Sequence, residues 1–164
     1  MKLFKKILHV NYSDNLGGAA ISCQRLHYAQ LKNNIDSWLF SYDQKNNSNR
    51  SITFDSGYKK NEYLLKKVIS KLISRPFENE KIIKSLSIFE TGSLKKINSF
   101  DCDVVNLHWI CNEMLLIENI KKINKPLVWT ILDMWPFIGA DHICLDSNLP
   151  DAYWKNNNEK KKNT

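Results

Sequence analysis

Residues 5–42 read KKILHVNYSDNLGGAAISCQRLHYAQLKNNIDSWLFSY, and their pattern decides the fold. Lys5–Asn11 is short and apolar, the mark of a first strand. Tyr12-Ser-Asp-Asn-Leu-Gly-Gly18 is turn chemistry, with two glycines available for unusual backbone angles. Ala19–Lys32 then carries Ala20, Cys23, Leu26, Ala29 and Leu31 at a helical period, and Asn33-Asn34 ends it. Ser37–Tyr42 resumes as a strand. Strand, glycine loop, helix, strand is a βαβ unit, so the chain is expected to build an α/β fold on a parallel sheet flanked by helices.

Working outward, Asp43–Arg50 is a polar loop and Ser51–Phe54 a short strand. Asn61–Ser74 has the cleanest helical pattern, with Leu64, Leu65, Val68, Ile69, Leu72 and Ile73 on one face and Lys66, Lys67, Lys71 and Arg75 on the other. Pro76 stops that helix, and Glu78–Leu86 adds a further helical segment. Asp103–Trp109 predicts a strand and Glu113–Lys122 a helix. Pro126–Leu132 is a continuous apolar run with proline only at its edge, which predicts a central, buried strand. Asp133, Trp135, Pro136 and Gly139 follow as a turn above the strand's carboxyl end, where open α/β sheets bind ligands. A Trp/Phe plug sealing the end of the sheet reads the same residues as packing.

With 164 residues, 43% of them hydrophobic, the chain can bury one core, expected over 1–154 as a single domain with a disordered polar tail over 155–164. Cys23, Cys102, Cys111 and Cys144 form no CxxC pair, which argues against zinc or a disulfide framework and for reduced, cytoplasmic thiols. No secretory leader is visible, and no apolar run reaches the roughly 18 residues that span a bilayer.

The formal charge of +7 is local. The last ten residues carry +3 of it, and the segment Lys59–Lys84 another +5. The basic helix in that segment either packs on the sheet or lies on an anionic membrane surface through Lys66, Lys67 and Lys71. Nucleic acid is not expected, because the aromatic residues fall in core strands and are not interleaved with the basic patch.

Gly17-Gly18, between a strand and a helix N-terminus, either contacts a phosphate or merely solves the turn. His108-Trp109 and Asp133-Met134-Trp135 end two strands. If those strands are neighbours, both groups and the glycine loop share one rim. His108 and His142 can each be a structural histidine or a functional one, and His9, inside the first strand, reads as core.

Taken in order, ILHVNYSDNLGGAAISCQRLHYAQLKNNIDS, DVVNLHWI and KPLVWTILDMWPFIGADH resemble the N-terminal domain of GT-B-fold glycosyltransferases. The closest likeness is to the family 4 retaining enzymes of capsular and other surface polysaccharide synthesis, and it spans Ile7–His142. It implies the Rossmann-like, acceptor-side half of a two-domain enzyme, with the nucleotide-sugar domain absent from this chain. Gly17 and Gly18 would face the donor phosphate of a nucleotide sugar. His108, Trp109, Asp133, Trp135, Pro136, Phe137 and His142 would line the cleft for a glycan or lipid-linked acceptor. No metal or other cofactor is implied. Where the family usually has a histidine before Asp133-Met134-Trp135, this chain has Leu132, which can neither donate a hydrogen bond nor move a proton.

Overall fold

A computed structural model describes residues 6–45, 50–53, 57–75, 84–140 and 142, with the backbone alone for 57–60. The polar tail, Cys144 and most of the helical segment expected over Glu78–Leu86 lie outside these residues, and Lys84–Leu86 is not helical.

Five parallel strands form one sheet in the order β3-β2-β1-β4-β5. They are β1 (Lys6–Ser13), β2 (Asp36–Asp43), β3 (Ser51–Thr53), β4 (Val104–Leu107) and β5 (Leu127–Trp129). Helix α1 (Gly17–Lys32) links β1 to β2, which is the βαβ unit expected from residues 5–42. The result is a Rossmann-like α/β arrangement. Among the described residues no helix is long and apolar enough to cross a membrane.

The two faces of the sheet differ in chemistry, because successive side chains of a strand point to opposite sides. One face carries Leu8 and Val10 of β1, Phe40 of β2, and Val105 and Leu107 of β4. These pack with Ile97, Ile110, Cys111, Met114, Leu115 and Trp135 into the core, Ile97 coming from α3 (Ser93–Ser99). The opposite face is mostly polar: His9 and Asn11 of β1, Ser37 and Ser41 of β2 on either side of Leu39, Asn106 of β4, then His108. Helix α1 covers it with Ala20, Cys23 and His27. Buried polar groups need partners. His27 Nδ1 accordingly meets Ser37 Oγ at 2.7 Å, and Thr130 Oγ1 donates to Asn106 Oδ1 at 3.0 Å.

Three expectations are corrected. Pro126–Leu132 is not a central buried strand: β5 covers only three of those residues and sits at the sheet edge, with Leu127 39% and Val128 50% exposed. The central strand is β1. A continuous apolar run indicates strand, but burial on both faces depends on what covers them, and no described helix covers Val128. Glu113–Lys122 is not one helix. Residues 111–114 form a turn with Asn112 (φ 56°) and Glu113 (φ 60°) left-handed, and a 3-10 helix follows over Ile117–Lys122.

The third correction concerns α2 (Gly57–Ser74) and the alternative in which it packs on the sheet through its apolar face. That face points away: Leu64, Leu65, Val68, Ile69, Leu72 and Ile73 are all exposed, whereas Tyr63, Ser70 and Ser74 are buried. Polar anchors set this rotation. Tyr63 Oη donates to the Asn112 carbonyl at 2.5 Å, and Ser70 Oγ donates to the Glu113 carboxylate at 2.6 Å. Buried acceptors that would otherwise go unpaired outweigh the apolar stripe in orienting the helix.

Candidate functional site

The carboxyl ends of β1, β4 and β5 form one rim, held by side chain to main chain bonds. Asn11 at the end of β1 donates from Nδ2 to the Ser13 carbonyl (2.6 Å), and its Oδ1 accepts the Trp109 backbone N–H (2.9 Å). The Tyr12 N–H donates to the Trp109 carbonyl at 2.8 Å, and the two rings meet edge to face. Asn11 drew no attention in the sequence; a polar residue closing an apolar strand just before a glycine turn is the signal that marks it.

Beyond β5, Asp133 is the hub. Its Oδ2 accepts the Trp109 indole N–H at 2.8 Å and lies 2.5 Å from His142 Nδ1, while its Oδ1 accepts the Trp135 N–H at 3.1 Å. That last bond opens the short helix α4 (Trp135–Ile138). The Met134 N–H donates to the His142 carbonyl (3.2 Å), so both ends of the turn are closed. With Asp133 ionised and the imidazole neutral, the proton sits on His142 Nδ1 and Nε2 is left as an acceptor. That atom is buried and has no hydrogen-bond partner among the described residues. A carboxylate oriented by an imidazole can accept a hydroxyl's hydrogen bond, and of the two groups it is Asp133 that stays part-exposed.

The glycine turn stands on the same rim. Gly17 has φ +85°, a backbone that L side chains rarely adopt, whereas Gly18 is an ordinary first-turn helical residue. Leu16 at the N-cap makes no side-chain cap bond, and the first turn of α1 has no acidic residue. The nearest carboxylate before the helix is the buried Asp14, which is turned to the Lys45 N–H, and no acidic residue lies in the first turn itself, a condition favourable to an anion.

The other expected cleft residues divide. Pro136 opens α4 half-buried, and Phe137 is 71% exposed. Trp135 is 2% exposed and belongs to the core, its indole N–H donating to the Ser85 carbonyl at 2.8 Å. It is not a cleft wall: the α4 turn rotates it inward, where its large apolar surface is better placed. His108 is likewise not on the rim. It is 3% exposed beneath α1, with its Nε2 2.9 Å from His9 Nδ1. The side-chain alternation that sends Trp109 to the rim sends His108 to the polar face.

Burial holds the histidines of that face neutral. Desolvation pushes His108 down to about 4, helped by His9, and pushes His27 down to about 4, helped by His9 and Arg50; it lowers His9 as well. An unfolded histidine titrates near 6.5, so between that pH and about 4 the unfolded chain binds protons that the fold refuses. Stability is therefore full above pH 6.5 and falls as the pH drops towards 4. A urea-unfolding series over that range should show the midpoint falling, and a flat profile would mean that these imidazoles are not buried neutral.

The basic residues of α2 are also placed differently from one another. Lys66 Nζ bonds Glu62 and the Glu90 carbonyl, both at 2.5 Å, and Lys67 Nζ donates to Tyr12 Oη at 3.0 Å. Lys71 and Arg75 stay exposed beside the apolar stripe. Lys66 and Lys67 are thus bonded within the chain, whereas Lys71 and Arg75 flank the exposed apolar stripe.

Compared with protein-family models, curated proteins and solved structures, the chain matches none of them.

Proposed function

We propose that this chain is the acceptor-side domain of a retaining hexosyltransferase that moves a sugar from a nucleotide sugar to a glycan or lipid-linked hydroxyl during surface polysaccharide synthesis. The observation that carries the reading is the Trp109–Asp133–His142 constellation beyond the carboxyl ends of two adjacent parallel strands, tied through the Tyr12 N–H to the strand that leads into the glycine turn. In this role the part-exposed Asp133 carboxylate, held by Trp109 and the buried His142, accepts from the acceptor hydroxyl, and the Gly17-Gly18 turn meets the donor diphosphate. Transfer needs a second unit that holds the nucleotide and closes the site to water. The isolated chain is therefore expected to be inactive.

The test is sugar transfer and donor hydrolysis by the purified chain, alone and with the protein segment encoded downstream of it. Turnover is expected only with the second unit, and His142→Gln should lower it at least tenfold while leaving the fold intact. Turnover unaffected by His142→Gln would overturn the assignment of that residue. A second reading, a non-catalytic glycan- or partner-binding module, is favoured by Leu132, an apolar side chain 42% exposed beside Asp133. Glycan retention without turnover under any pairing would select it.

The exposed stripe on α2, next to Lys71 and Arg75, supports peripheral contact with an anionic membrane at its cytoplasmic face. Replacing Leu65 and Leu72, 61% and 59% exposed, by serine should change unfolding free energy by less than about 0.5 kcal/mol each. The same double variant should abolish salt-sensitive binding to vesicles containing anionic lipid. A large loss of stability would show that the stripe is covered within this chain.

A further inference from the structure

On the polar face of the sheet, away from the rim, three buried side chains from three elements converge. His9 comes from β1, Cys23 from α1, and His108 from the residue after β4; they are 0%, 1% and 3% exposed. One ligand atom of each lies within 4.8 Å of those of the other two. We propose that His9, Cys23 and His108 form a metal site for a d10 cation of the zinc type, enclosed between the sheet and α1.

The geometry around the cluster fits this use. His9 Nε2 lies 2.7 Å from Gln30 Oε1, so the carbonyl takes its proton and His9 Nδ1 is a bare lone pair turned towards His108 Nε2 at 2.9 Å. A ligating histidine that gives its other N–H to a carbonyl is the arrangement that orients metal-bound imidazoles. Zinc takes nitrogen at about 2.0–2.1 Å and thiolate sulfur at about 2.3 Å, so small movements of these rings and of Sγ would admit it.

The charge state agrees. Burial keeps both imidazoles in the neutral form that binds metals. It also pushes the Cys23 thiol up to about 12, so the thiol ionises only with a cation beside it. Binding would break the His9–His108 hydrogen bond, move the His108 proton from Nε2 to Nδ1, and release the Cys23 thiol proton to solvent. Spacing rules miss such a site because its ligands are far apart in the chain; His9 and His108 are separated by 99 residues.

Cobalt(II) is the probe. The chain is refolded from denaturant under reducing conditions with cobalt, since a buried site loads most readily as it forms. A thiolate-to-cobalt charge-transfer band should appear at one equivalent and be lost on adding zinc. Cys23→Ser should remove the band, whereas Cys111→Ser, at a buried cysteine outside the cluster, should keep it. If Cys23→Ser does not fold, Gln30→Ala decides, because loss of the partner that orients His9 should weaken zinc binding about 10–100-fold. No band in refolded protein, a band that survives Cys23→Ser, or zinc affinity unchanged in Gln30→Ala would each overturn the site.

Discussion

Replacing Glu113 with alanine should lower the unfolding free energy by about 3–5 kcal/mol. The carboxylate is 2% exposed and collects four donors. Ser70 Oγ and the Ser87 N–H meet Oε1 at 2.6 and 2.8 Å, and the Ile88 and Phe89 N–H groups meet Oε2 at 2.8 and 2.9 Å. Truncation leaves three main-chain donors without their acceptor and frees α2 from its polar anchor. Glu113→Gln should recover only part of the loss, because its amide nitrogen still faces N–H groups. The measurement is a urea midpoint at unchanged slope, which separates stability from a change in compactness. A loss for Glu113→Ala below about 1 kcal/mol would mean that water satisfies these amides equally well.

The second large effect lies in the turn after β5. Trp135→Ala should cost about 3–5 kcal/mol, the range for emptying a buried aromatic site. Its ring packs edge to face against Trp129 with centroids 6.4 Å apart, and its indole N–H satisfies the Ser85 carbonyl. Trp135→Phe keeps most of the volume and should lose about 1–3 kcal/mol, mainly by leaving that carbonyl unpaired. Phe137, two residues on and 71% exposed, behaves oppositely. Phe137→Ala should stay within about 0.5 kcal/mol of the parent. Any effect of Phe137→Ala on acceptor binding then reports the surface of the turn, uncontaminated by folding. Equal stability losses at both positions would refute this division of the motif.

The parts of the fold legible from the residues are those dictated locally. The β1–α1–β2 unit follows from an apolar run, a glycine turn and a helical period inside 38 consecutive residues. The rim was partly legible too: Trp109 and Asp133 each follow a strand within a few residues, and the neighbouring of β4 and β5 brings them within hydrogen-bond distance. What escaped depends on partners distant in sequence. The apolar stripe of α2 suggested a buried face, yet its orientation is set by a carboxylate 43 residues away. Glu113 itself looked like the start of a helix, because nothing in its own neighbourhood announces a left-handed backbone or four converging donors. The depth of Trp135 and His108 was illegible for a simpler reason. Strand alternation and the direction of a four-residue helix are fixed only once the register is known.

The central position of β1 has a consequence for the order in which the molecule comes together. Its pairing with β2 closes a short segment, whereas its pairing with β4 joins residues nearly a hundred positions apart, as the Trp109 N–H to Asn11 Oδ1 bond shows (98 residues). Loop closure of that length is slow to nucleate, so the β1–α1–β2 half is the natural early unit and β4–β5 the late one. Asn11 waits on the early half for Trp109, Asp133 and His142 to arrive on the late half. Partial opening along the β1–β4 seam would therefore erase the rim while half of the sheet stayed intact. The stability that matters for the site is that of one seam, which can be well below that of the whole chain.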